Sequence, residues 1–145
     1  MSEAHGDELV FPASGHCFGC SRDNPSGLHL RFFRSGDGVC CHVTLGPAHQ
    51  GATDIVHGGI QAVLLDEASC AAAFFTRGSY VVTGQLDIRY RRPCPTGAPL
   101  HTRASVVRDE GRFFTIVAEL RAGDGDDVLT SSEGRFYRDA RRNPA

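Results

Sequence analysis

The alternation of apolar and polar positions changes character twice along the chain. From Leu28 to Phe32 every second residue is apolar, the period of two that turns one face of a strand toward a core. Val39 to Leu45 reads as a second strand, with Gly36-Asp37-Gly38 turning between them. A loop over residues 46–56 follows, and the alternation then gives way to an Ala- and Leu-rich run from Gly58 to about Phe75, free of proline, which predicts a helix. After Gly78 come four runs rich in β-branched and aromatic residues, Tyr80–Arg92, Leu100–Arg108, Arg112–Arg121 and Val128–Arg138, each read as a strand. Their separators, Pro93–Gly97, Asp109–Gly111 and Gly123–Asp126, read as hairpin turns. The pattern predicts one α+β domain over residues 1–145, with residues 1–27 as an N-terminal loop segment.

The helical run is apolar nearly all round. At about 100° per residue, Cys70 and Ala73 bracket Asp66 on the helical wheel, and Ile60 and Phe74 bracket Glu67. A single flat sheet buries one side of a helix. Either the sheet curls around this helix, or a second copy of the chain covers its other side.

Composition narrows the function classes. With 145 residues and 41% hydrophobic content, the chain is long enough for a real core. A formal charge of −2 and the lack of a basic arm give no support for a nucleic-acid partner. The first ten residues are polar and acidic, unlike a secretory signal, and Gln61, Asp66 and Glu67 interrupt the apolar run, unlike a membrane span. A cytoplasmic protein with no membrane partner is expected. All 15 basic residues are arginine, a compositional bias that lowers the weight of any arginine cluster. The six cysteines are expected to be reduced thiols. Cys17 and Cys20 have CxxC spacing beside His16, but no second such pair exists, so they are read as packing thiols and no metal is expected.

Two features of the helical run carry chemistry. The first N–H groups of a helix lack intrahelical acceptors and lie at the positive end of its dipole, so Gly58 and Gly59 could stabilise an acyl oxygen that gains charge. Asp66, set among apolar residues, should have its pKa raised by burial, the direction useful to a general base. The two lie eight residues apart, about 12 Å along the axis, whereas a reacting carbonyl must sit about 3 Å from each group that touches it. If both act on one substrate, the donor comes from one subunit and the acid from another, which predicts a two-fold dimer. Glu67 points about 100° away from Asp66 and is read as a helix-edge or interface acid. Thr83 could position a water or a carboxylate; Gln50 and His57 precede the helix and could orient a carbonyl.

The Phe18-Gly19-Cys20, Asn24-Pro25 and Gly27-Leu28 elements, His57-Gly58-Gly59 with Asp66 nine residues after the histidine, and Thr83, Tyr90 and Pro93 downstream together resemble the hotdog-fold thioesterases, in particular the PaaI-like acyl-CoA thioesterases. The resemblance covers nearly the whole chain. It implies an antiparallel sheet wrapped around one long central helix, and hydrolysis of acyl-CoA thioesters by a homodimer or dimer of dimers. By position it makes Gly58 the oxyanion donor, Asp66 the catalytic carboxylate and Thr83 a holder of the nucleophilic water. It makes Gln50, His57 and Gly59 substrate contacts. Coenzyme A enters only as part of the substrate, with no separate cofactor, and Arg89, Arg91, Arg92 and Arg112 are candidates to meet its phosphates. Asp66 would activate water or attack to form an anhydride, two routes that the residues leave open. The competing readings are a hotdog enoyl-CoA hydratase or dehydratase, which needs a converging His and acid, and an acyl-CoA-binding domain without turnover.

Overall fold

The Ala- and Leu-rich run forms helix α1, Gly58–Arg77, in a computed structural model that describes residues 6–12, 15–123 and 125–143. Gly78 ends the helix in the left-handed region (φ 66°), where its amide donates back to the Phe74 carbonyl at 2.9 Å. Among the described residues, seven strands form one antiparallel sheet: β1 (Glu8–Leu9), β2 (Phe32–Ser35), β3 (Gly38–Thr44), β4 (Val81–Tyr90), β5 (Pro99–Asp109), β6 (Phe113–Ala122) and β7 (Val128–Arg138). Their order across the sheet is β1-β2-β3-β5-β6-β7-β4.

The helix packs on the inner face of this sheet, mainly over β5 and β6. Leu64 and Leu65 are fully buried and meet a core that includes Phe32, Leu100, Phe114, Ile116, Leu120 and Phe136. Each such leucine contributes about 1.5–3 kcal/mol by leaving water. Ala68, Ala71 and Ala72 are also fully buried, and their small side chains let the helix lie close to the strands. This is the α+β arrangement of one long helix held by an antiparallel sheet that the sequence led us to expect. Among the described residues, no helix is long and apolar enough to cross a membrane.

Three local expectations change. The strand expected over Leu28–Phe32 begins only at Phe32 and runs to Ser35. His29 takes a positive φ of 52°, and the Leu28 and Leu30 amides donate to the Phe18 and Gly19 carbonyls at 2.8 Å, so this stretch binds the CxxC loop instead of a sheet neighbour. Residues 1–27 are not wholly loop, since Glu8–Leu9 adds a short edge strand beside β2. Pro93–Gly97 is a crossover connection, not a hairpin turn: β4 pairs with β7, and β5 with β3.

An irregularity in β4 positions the site. Along β4, Leu86, Ile88 and Tyr90 alternate with Gln85, Asp87 and Arg89, and strict alternation would turn Thr83 to the side of Gln85. The register shifts between Thr83 and Gln85, leaving Gly84 as the extra residue, so Thr83 faces the helix like Leu86 and Tyr90. Gly84 has no room for a side chain, because a Cβ there would stand 2.4 Å from the Tyr137 ring. We expect Gly84→Ala to lower stability by about 1–3 kcal/mol, the usual cost of overpacking. Thermal denaturation of the two proteins checks this, and an unchanged Tm would count against the close approach of Tyr137.

Candidate active site

The helix start is built by its own cap and by two polar struts. His57, at the N-cap, accepts a hydrogen bond from the Gly59 amide through Nδ1 at 2.8 Å. Its carbonyl takes the Gln61 amide at 3.0 Å. Gln61 is itself buried; its Nε2 donates to the Val56 carbonyl at 2.9 Å and its Oε1 accepts from the Thr130 hydroxyl on β7. On the other flank the Tyr90 hydroxyl donates to the Gly58 carbonyl at 2.8 Å. In the sequence, Gln61 stands out only as a break in the apolar run and Tyr90 only as part of a motif. A polar residue on the buried side of a helix was the available signal for Gln61.

These contacts divide the two glycines. The Gly59 N–H is occupied by the His57 ring, whereas no described residue accepts a hydrogen bond from the Gly58 N–H. Gln50 has its side chain turned into the preceding loop, where Oε1 accepts from the Asp54 amide at 3.2 Å. The loop closes through the Gln50–Val56 bridge, with Asp54 at a positive φ of 63°.

Two turns along α1, Asp66 is half-buried and accepts a hydrogen bond of 2.6 Å from the Thr83 hydroxyl. Burial raises its pKa above the ordinary aspartate value, while the Thr83 hydrogen bond pulls the other way. Glu67 lies one residue on and is also half-buried, against the N-terminal loop, where it accepts from the Cys17 thiol at 3.2 Å. Burial raises its pKa too, and the neighbouring Asp66 charge adds to the rise, against the hydrogen bonds from the thiols. Glu67 was read as a helix-edge or interface acid; in the described chain it is covered by a loop of the same chain.

The structure brings Asp66 and Thr83 together, with Gly58 on the same side of the sheet. Within one chain the four arginines lie outside this group. Arg89 and Arg91 alternate with Tyr90 and so take the opposite face, where they and Arg92 line a broad depression of 1010 Å³ with Asp87, Glu119 and Asp127. Arg92 pairs there with Asp127 at 3.8 Å. Arg112 sits in the β5–β6 turn beside the end of β7, at the end of the sheet where β4 begins, whereas Gly58 lies where β4 ends.

Comparison with known proteins gives a consistent family. Acyl-coenzyme A thioesterase THEM4 from Xenopus laevis is 28% identical over 100 residues, 69% of this chain and 45% of that protein. The Bos taurus THEM4 is 27% identical over 116 residues, 77% of this chain and 46% of that protein. The chain thus spans under half the length of these relatives. Among solved structures, a thioesterase superfamily protein superposes with a TM-score of 0.70 at 33% identity, over 79% of this chain and 55% of that one. A mutant of the phenylacetic acid degradation protein PaaI from Thermus thermophilus gives 0.68 at 25% identity, over 77% and 94%. A Bacillus halodurans protein crystallised with CoA gives 0.63 at 26%, over 74% and 72%. The family model described as the thioesterase superfamily matches residues 53–129, which contain α1, β4, β5 and β6 with both Gly58 and Asp66, and the chain belongs to that superfamily, with its hotdog fold.

Proposed function

We propose that this chain hydrolyses acyl-CoA thioesters as a homodimer, in sites that each combine Gly58 of one subunit with Asp66 of the other. The observation that carries the reading is the pair formed by Asp66 and Thr83: a half-buried carboxylate of raised pKa, held by a hydroxyl on the inner side of an edge strand. Asp66 takes a proton from water or attacks the thioester carbon. The Gly58 N–H, at the positive end of α1, stabilises the oxyanion. His57 acts as a cap that leaves this donor available. The THEM4 relatives support the reaction class, and the Bacillus halodurans protein with CoA supports the ligand.

The layout of β4 supports the dimer. This strand is ten residues long and lies at the edge of the sheet, with Val82 and Tyr90 exposed. Thr83 at one end marks the position of Asp66, and Tyr90 at the other marks that of Gly58. Antiparallel pairing of β4 with its copy about a two-fold axis exchanges the ends, so each Asp66 comes to face the Gly58 of the partner subunit. Arg89, Arg91 and Arg92 then meet a coenzyme A tail that leaves the site across this edge. Six free cysteines accord with the reducing cytoplasm.

The test is release of free thiol from a panel of acyl-CoAs, run beside hydration of an enoyl-CoA and equilibrium binding. Thiol release is expected. Hydration without thiol release, or saturable binding without turnover, would overturn the reading. The pH dependence gives a second check: kcat/KM should fall on the acid side as Asp66 protonates, above the usual aspartate range. Thr83→Val removes the hydrogen bond that favours the ionised form, so the acid limb should move to higher pH.

A further inference from the structure

Beside Asp66, the N-terminal CxxC loop and α1 enclose a group of side chains that the proposed hydrolysis does not use, although Cys70 Sγ lies 4.0 Å from the Thr83 hydroxyl. Cys17 Sγ, Cys20 Sγ and a Glu67 carboxylate oxygen all lie within 4.8 Å of one another. Glu67 is a half-buried carboxylate whose described hydrogen bond comes from a thiol, a weak donor for so costly a charge. Cys70, one turn further along α1, lines the same cavity of 150 Å³, together with Cys17, Cys20 and Glu67. Arg142 also reaches this cavity, but its guanidinium is bonded to Asp139 at 2.8 Å and stacks over Tyr80.

The backbone holds the loop in place for this contact. The Ser21 amide donates to the Cys17 carbonyl at 3.1 Å, closing a turn that turns both cysteines toward Glu67. Leu28 and Leu30 anchor the loop from the other side at 2.8 Å. Gly19, between the cysteines, lies so close that a Cβ would stand 2.2 Å from Glu67 Cγ.

We propose that Cys17, Cys20 and Glu67 bind a zinc-like divalent cation, with Cys70 or water completing the coordination. Two thiolates and a carboxylate suit a borderline-soft cation better than magnesium or calcium. A tetrahedral site with Zn–S near 2.3 Å and Zn–O near 2.0 Å sets sulfur–sulfur at about 3.8 Å and sulfur–oxygen at about 3.5 Å; the Cys17–Glu67 separation of 3.2 Å approaches the latter, and all three ligand atoms already lie within 4.8 Å of one another. Binding releases the two thiol protons to solvent; the two thiolates balance the cation, and the Glu67 carboxylate exchanges a thiol hydrogen bond for a metal bond. A second group, Cys40, His42 and His101, has similar spacing on the outer sheet face, but Arg103 and Arg121, though paired with Asp37 and Glu119, lie directly across from Cys40 and His101 and keep positive charge beside it. The CxxC spacing thus gains in Glu67 the third ligand that the sequence did not supply.

The experiment measures metal in the reduced 145-residue chain and titrates the chelated protein with Zn²⁺ and Co²⁺. One zinc per chain is expected, with a thiolate-to-cobalt charge-transfer band for Co²⁺. Glu67→Gln and the double variant Cys17→Ser/Cys20→Ser should each weaken Zn²⁺ binding by more than the roughly 10–100-fold typical of outer-shell partners. Cys40→Ser should leave affinity unchanged. The proposal is overturned by a reduced wild-type chain that takes up no zinc, by unchanged affinity in Glu67→Gln, or by loss of binding in Cys40→Ser. If the double serine variant does not fold, the cobalt spectrum of the wild type and the near-isosteric Glu67→Gln decide the matter. Thiol release is followed separately, so metal binding can fail while the hydrolysis stands.

Discussion

Asp66→Asn should remove most thioesterase turnover while leaving the fold at least as stable as before. General acid–base catalysis is worth about 10²–10⁴-fold, and kcat should drop by that order if Asp66 is the base or nucleophile. Asparagine keeps an oxygen to accept the Thr83 hydrogen bond but has no basic lone pair to take a proton from water. The stability side follows from linkage. Burial raises the Asp66 pKa, so the folded chain binds this proton more tightly than the unfolded chain. Its contribution to stability is therefore present at low pH and is lost as pH rises through the interval between the unfolded and folded values. At neutral pH the charged carboxylate is a net cost, which the neutral amide relieves. Thermal melts at several pH values should show the variant equal to or above wild type near pH 7, with the advantage shrinking in acid. Near-wild-type turnover in a folded dimer would remove Asp66 from the catalytic role. A large fall in Tm at neutral pH would mean that the carboxylate is a structural partner.

The second large effect comes from Gly58→Pro. Proline suits the first position of a helix, where the missing N–H breaks no intrahelical bond. His57, which precedes it, already has φ −54° and ψ 137°, the extended geometry that a residue before proline requires. A Cβ at position 58 meets the Tyr90 ring at an ordinary 3.4 Å. Gly58→Pro should therefore fold and lose about 10²–10³-fold in kcat, the usual effect of deleting one oxyanion donor. Gly58→Ala, which keeps the N–H, should stay close to wild type.

Mixing the two dead variants is the sharper measurement. A heterodimer of Asp66→Asn and Gly58→Pro subunits has one ruined site and one with an intact Gly58 facing an intact Asp66. After random subunit exchange, half the dimers are mixed and each has one good site of two, so about a quarter of wild-type activity should return. If exchange is verified and no activity returns, the donor and acid are not shared between subunits.

Much of this was readable in the residues, and the exceptions share a cause. Helix α1 and the last four strands are long and strongly periodic, so their own sequence specifies them. The segment after Gly27 alternates like a strand, yet its amides go to Phe18 and Gly19, partners that only the folded loop brings near. Pro93–Gly97 has the composition of a hairpin turn, but strand order is decided by non-local pairing, and β4 finds β7. The alliance of Thr83 with Asp66 depends on one unpaired glycine; a lone Gly inside a strand pattern was the sole local hint of a bulge. The partner of Glu67 was hidden because it comes from a loop 50 residues earlier, docked through Gly19.

The two edges of the sheet are very unequal, and that inequality sets a limit on growth. On one side lies the ten-residue β4; on the other, among the described residues, lies the two-residue β1, whose Glu8 is tied to Arg22 and Arg31. Joining β4 to β4 uses up both long edges and leaves only short, charged ends. In such a dimer the continuous sheet of the described residues would comprise twice seven strands, with no long edge left to extend it. Any assembly of two such dimers has to use the faces of the sheets or the loops, so mutations that tune the tetramer need not touch the strand that builds the sites.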